Sequence, residues 1–236
     1  MRKIILSAGI SSLILLSCWL YYSYNLESSN KLEFKNGPNE WLYNQRAWPY
    51  GSINNSTYLT SKKQALNLRN SNSKDFNGSW VSAGPINIGG RITDIEMPAN
   101  DTNIIYVGTA SGGIFKTINH GVSWFPIFDN ELSLSIGDLK IDPNNPNIIY
   151  AGTGEANASS NNGAFPGNGI YKSLNGGSSW VNIGLPHSQN IGRIIINPLN
   201  SDNLFVAVMG QLYGTNNERG VYRSVNGGSS WQKVLY

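Results

Sequence analysis

The chain reads as all-β, and three observations carry that reading. Its 26 Gly, 7 Trp and 12 Tyr fit many short strands joined by tight turns, because aromatic side chains suit a pleated, half-buried surface and glycine suits corners with positive φ. One phrase occurs three times: "TINHGVSW" from Thr117 to Trp124, "SLNGGSSW" from Ser173 to Trp180 and "SVNGGSSW" from Ser224 to Trp231. The text before each phrase repeats as well, as "ITDIEMPANDTNIIYVGT" from Ile92, "IGDLKIDPNNPNIIYAGT" from Ile136 and "IGRIIINPLNSDNLFVAV" from Ile191. A site for chemistry is normally written once, whereas a phrase returning about every fifty residues marks a structural unit stacked on copies of itself.

Each unit divides into the same elements in order. An apolar strand is followed by an Asn/Pro-rich turn, a second apolar strand ending near Gly-Thr, a short third strand such as "GIYKS", and the phrase, which leads into a fourth strand. Four-stranded units of this length predict a β-propeller, in which each sheet is a blade and neighbouring blades bury each other's faces. The expected fold is therefore all-β, a partial β-propeller of about three four-stranded blades that forms the N-terminal part of a larger propeller. Within the phrase, Asn119, Asn175 and Asn226 with their Gly neighbours take the positive-φ corners of a tight hairpin and satisfy its backbone groups. Trp124, Trp180 and Trp231 then enter the last strand and fill the gap between blades, each an aromatic surface of roughly 150–250 Å². These six residues are structural in this reading.

Three regions follow along the chain: 1–26, 27–77 and 78–236. The first opens with Arg2 and Lys3 and then carries no charge until Glu27, the layout of an export signal. Its run from Ile4 to Tyr22 is also long enough to span a bilayer. Cys18, the sole cysteine, follows "LLS" in a pattern like the box before a lipidated cysteine, so cleavage, lipidation at Cys18 and a retained anchor all stay open. The second region is a polar leader rich in Asn, Ser, Lys and Tyr, with a short helix expected near Ser61 to Leu68. The third is the incomplete propeller. The protein is expected to be exported, either secreted or anchored in the cell envelope, with membrane contact only through the N-terminal segment.

The formal net charge of +3 is scattered rather than gathered in a stripe, which gives no footprint for nucleic acid. His120 lies inside a phrase and His187 in a loop, and the chain has neither GxxxxGK nor GxGxxG, so no metal and no cofactor is expected.

The phrase resembles the Asp-box, or bacterial neuraminidase repeat, with Asn in place of Asp in all three copies. A longer similarity covers about Trp80 to Tyr236, in "WVSAGPINIGGRITDI", "GTASGGIFKT", "SIGDLKIDPNNPNIIYAGTGEAN", "NIGRIIINP" and "ERGVYRSVNGGSSWQKVLY". These look like exported bacterial proteins with a sortilin-type N-terminal propeller, often labelled glycosyl hydrolases. The resemblance implies an architecture in which the box is structural and lies away from the active face. "GSWVSAGP" at Gly78 to Pro85 resembles "SSWVNIGLP" at Ser178 to Pro186, so Trp80 reads as the outer strand of a blade completed from the far end of a longer protein.

If the boxes join third and fourth strands, the loops between second and third strands lie on the opposite face. Two of these are enlarged, around Glu155 and around Tyr213 and Glu218, and insertions gathered on one face mark a functional one. Arg91 and Arg193 begin innermost strands beside them, with Asp94 and Asp138 near. Arg91, Asp94, Arg193 and Tyr213 are therefore the candidate ligand contacts, suited to a carboxylate or a sugar. Glu155 and Glu218 are the candidate catalytic carboxylates. Sialidases use three arginines, and only Arg91 and Arg193 are placed for that role. Xyloglucan-cleaving glycosidases carry an acid in "TDxGG", whereas this chain has "TASGG" with Ala110 at the acid's place. The leading expectation is a binding module for extracellular peptide or glycan, partnered by missing C-terminal blades of the same protein. The alternative is a sialidase- or xyloglucanase-like glycoside hydrolase.

Overall fold

The computed structural model describes residues 44–45, 47–52, 54–71, 89–156, 165–211 and 217–236. Cys18, Tyr213 and the strand expected around Trp80 lie outside the described residues. The chain divides into two compact units, Met1–Gly51 and Ser52–Tyr236. In the first, Ala47 is buried while Trp48 and Tyr50 are exposed. None of the described helices is long and apolar enough to cross a membrane.

The second unit begins with helix α1 (Asn55–Ser71), longer at both ends than the stretch expected from sequence. Asn54 explains the early start: its Oδ1 accepts the Thr57 N–H at 3.2 Å and the Ser56 hydroxyl at 2.6 Å, as an N-cap residue does. Arg69 near its C-terminus donates to Asn130 Oδ1 at 2.6 Å.

Three antiparallel four-stranded sheets follow. Sheet one holds β1 (Ile92–Glu96), β2 (Ile105–Thr109), β3 (Ile114–Thr117) and β4 (Phe125–Pro126). Sheet two holds β5 (Ile136–Asp142), β6 (Asn145–Thr153), β7 (Ile170–Ser173) and β8 (Val181–Gly184). Sheet three holds β9 (Ile191–Ile196), β10 (Leu204–Val208), β11 (Gly220–Ser224) and β12 (Gln232–Leu235). In each sheet the strands pair strictly in chain order. Successive sheets stack face to face with their first strands adjacent, which makes the unit a partial β-propeller of three blades.

The stacking is held by repeated contacts between blades. Asp94 Oδ2 on β1 accepts the Leu139 N–H on β5 at 2.8 Å, and Asp138 Oδ2 on β5 accepts the Ile194 N–H on β9 at 2.7 Å. Two apolar cores fill the gaps. One joins Tyr106 of the first blade to Ile136, Leu139, Ile149 and Tyr171 of the second, and the other joins Tyr150 to Ile191, Ile194, Leu204 and Val206 of the third. Each such side chain, fully buried, contributes roughly 1.5–3 kcal/mol. Gly108 and Gly152 on the second strands make the approach possible: a Cβ there would stand 2.8 Å from Ile136 Cγ2 and 2.4 Å from Ile191 Cγ2.

The repeated phrase folds the same way each time. In the third copy Ser224 Oγ donates to Asn226 Oδ1 and accepts the Gly228 N–H, while Asn226 Oδ1 accepts the Ser230 N–H and Asn226 Nδ2 donates to Ser230 Oγ, all between 2.8 and 2.9 Å. Thr117, Asn119 and Ser123 make the same set in the first copy, and Ser173, Asn175 and Ser179 in the second. The neutral Asn amide thus uses its oxygen for the turn and its nitrogen as donor to the second serine, where an Asp would accept from that serine instead.

Candidate functional site

The phrases join third to fourth strands, so the loops from second to third strands share the opposite face with the connections between blades. On that face the second blade's loop is stitched to both neighbouring connections. Gly154 N donates to Ser135 O at 2.7 Å, Gly154 O accepts the Ile191 N–H at 3.1 Å, and Glu155 N donates to Ser135 Oγ at 3.2 Å. A backbone laced on both sides holds the residues on it in fixed positions.

The structure brings Arg91 and Glu155 together. Both guanidinium nitrogens Nη1 and Nη2 of Arg91 engage the two carboxylate oxygens of Glu155, which is buried while the arginine is half-exposed. This is the two-pronged geometry that makes arginine–carboxylate pairs strong and specific. The pair spans the first and second blades. A second arginine repeats the arrangement one blade on: Arg193 Nη1 lies 3.2 Å from Asp138 Oδ1, again with a buried carboxylate and an exposed guanidinium.

Asp94 has both oxygens engaged with backbone, Oδ1 with the Ile95 N–H at 2.9 Å and Oδ2 with the Leu139 N–H. It serves the joint between blades. Glu218 accepts from the Tyr222 hydroxyl at 3.3 Å within its own blade. The nearby carboxylate and burial push the Tyr222 phenol up to about 12, burial being the larger cause. Glu155 and Glu218 are thus tied to different partners, Arg91 and Tyr222, rather than to each other.

Sequence reasoning missed a set of buried polar side chains at the second blade's loop and the connection that follows it. Asn168, Ser188 and Asn190 are buried there. Asn190 Nδ2 donates to Gly210 O at 2.8 Å and Asn168 Nδ2 to the Tyr171 hydroxyl at 2.7 Å, while Asn168 Oδ1, Ser188 Oγ and Asn190 Oδ1 carry no hydrogen bond. The positive φ of Leu185 and Gln189 marks the tight connection that carries Ser188 and Asn190. A run of Asn and Ser before a strand was the available signal, but this chain is rich in both. No group of three or more His, Cys, Asp or Glu fit to hold a metal occurs among the described residues.

Burial lifts the Asp138 carboxyl to about 6. The Asp94 charge adds to the rise, against the opposing pull of the Ile194 N–H, Arg193 and Lys140. A carboxyl whose pKa is raised on folding holds its proton more tightly in the native state. Between about pH 4 and 6, raising the pH therefore strips that proton and costs stability, leaving a buried charge above the window. Relative to an Asp138→Asn variant, the wild type is expected to lose roughly 3 kcal/mol between pH 4 and 7. Urea unfolding of both proteins across that range checks it. A constant difference between them would mean that Asp138 titrates like an exposed acid.

No family model matches the chain, and no curated protein matches it. Among solved structures it is similar to an ancestral GH74 enzyme, with 25% identity over 63% of this chain and 18% of that one and a TM-score of 0.49. It is similar to the GH74 enzyme of Niastella koreensis, with 25% identity over 60% of this chain and 21% of that one and a TM-score of 0.45. It is also similar to YCF48 from Cyanidioschyzon merolae, with 16% identity over 63% of this chain and 38% of that one and a TM-score of 0.41. The matched part spans about a fifth of the length of the GH74 enzymes. Likenesses at these TM-scores bring no substrate or partner to this chain.

Proposed function

We propose that the chain is an exported Asp-box propeller module of the sortilin-like kind, which binds a peptide or glycan on the loop face without turning it over. The observation that supports this reading is the pair of braced arginines. Arg91 and Arg193 each rest on a buried carboxylate while part of the guanidinium meets solvent. A guanidinium held in this way keeps donors for a ligand carboxylate or hydroxyl without first having to be ordered. The same bracing weighs against Glu155 as a general acid. Both its oxygens serve Arg91, so neither is free to pass a proton to a substrate. The N-terminal region 1–26 supplies the export or anchoring step in this reading.

The test is binding of the full chain to a panel of peptides bearing free carboxylates and to sialylated and neutral glycans. The double variant Arg91→Gln/Glu155→Gln removes both charges at once and so leaves no buried carboxylate unpaired. Arg91→Lys keeps the charge but loses the fork. Each is expected to weaken binding by about tenfold or more, the loss of a charge-assisted hydrogen bond, with little change in melting temperature for the lysine variant. Glycan cleavage by the wild type that disappears in Glu155→Gln would replace this reading with the hydrolase alternative.

A further inference from the structure

The three blades repeat their contacts, so the chain contains its own standard for the two faces that end the series. On the leaving face of a blade, a Tyr and a Lys stand opposite each other in register, Tyr106 with Lys116 and Tyr150 with Lys172. Both donate to one carbonyl in the next blade. Gly176 O receives Tyr106 Oη at 3.3 Å and Lys116 Nζ at 2.9 Å, and Gly227 O receives Tyr150 Oη at 3.4 Å and Lys172 Nζ at 2.9 Å. In the third blade the registered pair is Phe205 with Arg223. The guanidinium lies over the ring at 5.9 Å, and both side chains are exposed.

The entering face of the first blade is open in the matching way. Ile136 and Leu139 of the second blade and Ile191 and Ile194 of the third are fully buried, whereas their first-blade counterparts Ile92 and Ile95 are 48% and 60% exposed. With Val107, Phe115 and Trp124 they line an apolar groove of about 690 Å³. The acceptor has its counterpart too. Gly176 N and Gly227 N donate to Asn147 O and Asp202 O, and His120 N donates to Asn103 O in the same turn, with φ of 65°, 62° and 57° at the three residues. His120 therefore presents the carbonyl that Gly176 and Gly227 present in the later blades.

Charge continues the series. Arg193 stands in register where the first two blades carry Asp94 and Asp138. In both joints of the chain, residues at this position meet across the gap: Asp94 with Asp138, whose pKa it raises, and Asp138 with Arg193. The next step sets Arg193 beside an Asp94, so opposite charges meet.

We propose that the open face of the first blade is a docking surface for a second copy of this chain, which seats its third blade there. Phe205 enters the groove of Ile92, Ile95 and Trp124, Arg223 donates to the His120 carbonyl as Lys116 and Lys172 do to Gly176 and Gly227, and Arg193 pairs with Asp94. Ala207 replaces the glycines Gly108 and Gly152 of the earlier blades. Its methyl group keeps the incoming Ile92 further out, so this joint is looser than those within the chain and dissociates on dilution. The two copies use different faces, so the contact closes a ring where the rotation permits and extends otherwise.

Sedimentation of the full 25.8 kDa chain in mild detergent tests this across a concentration series. The expected result is assemblies of two or more chains that dissociate on dilution. Ile95→Glu and Phe205→Glu are each expected to be monomeric alone, and an equal mixture to recover a two-chain species, because each retains the face the other has lost. Arg223→Glu, a change at an exposed side chain, is expected to weaken association about tenfold with an unchanged melting temperature. A wild type still monomeric at roughly 100 µM, where an interface of standard size is occupied, overturns the proposal and leaves a further blade of a longer chain as the occupant. Association that either glutamate variant retains alone, or that mixing the two does not restore, overturns it as well.

Discussion

Gly154→Ala is expected to cost at least about 4 kcal/mol, a large part of the roughly 5–15 kcal/mol by which a domain is stable. Gly154 has φ of 81°, a conformation that disfavours any residue with a Cβ. Space is the larger obstacle: a methyl there would lie 1.7 Å from Gln189 O and 2.6 Å from Gly167 N, both backbone atoms. The two are bonded to each other, Gly167 N donating to Gln189 O at 2.5 Å, so neither can move aside without breaking that bond. The control is Gly192→Ala, where the nearest atom to the new methyl is Ala156 Cβ at an ordinary 3.4 Å. That variant is expected to melt within a few degrees of the wild type. Circular dichroism melts of the three proteins decide the matter. Equal melting of both variants would show that the second loop is not anchored as described.

What the sequence made legible was the chemistry closed within a few residues. Ser224, Asn226, Gly228 and Ser230 satisfy one another at separations of two and four positions, so the phrase carries its own fold wherever it stands. Apolar runs bounded by Asn/Pro-rich turns placed the strands for the same reason. Contacts between blades were not legible, because most join positions 45 to 77 residues apart whose meeting depends on how sheets stack. Arg91 and Glu155, 64 positions apart, were both singled out, yet as a ligand contact and a catalytic candidate rather than as one ion pair. Asp94 was singled out as a ligand contact, and its acceptor role toward the Leu139 backbone was not legible. Helix α1 was underestimated because its half-buried side chains are few, Leu59, Lys62 and Leu66, a stripe too narrow to give a strong helical period. Its start was written in Asn54, within a run of Asn and Ser that reads equally as a turn.

The three tryptophans of the phrase share a sequence context and differ in what lies opposite, so their replacement by alanine should give three graded results. Trp180→Ala is expected to cost about 3–5 kcal/mol, the range for a large aromatic lost from a packed joint. Its indole meets Phe128 edge-on, with ring centroids 5.1 Å apart and planes at 80°, and Phe128 meets Tyr171 in the same way at 5.2 Å. Its Nε1 also donates to Ile127 O in the preceding blade at 2.9 Å. Trp231 repeats that bond to Ile183 O at 3.0 Å across the next joint, and its loss should cost nearly as much. Trp180→Phe keeps most of the apolar contact but leaves the Ile127 carbonyl without its donor, so it should fall about 1–3 kcal/mol below the wild type. Trp124 lines the open groove and is 40% exposed; its replacement should cost a dilute monomer about 1 kcal/mol or less, as a partly solvated side chain does. Urea unfolding at low protein concentration measures all four. If Trp124→Ala proved as damaging as Trp180→Ala there, the first blade's entering face would already be filled from within the chain, and a second copy would have no place to dock.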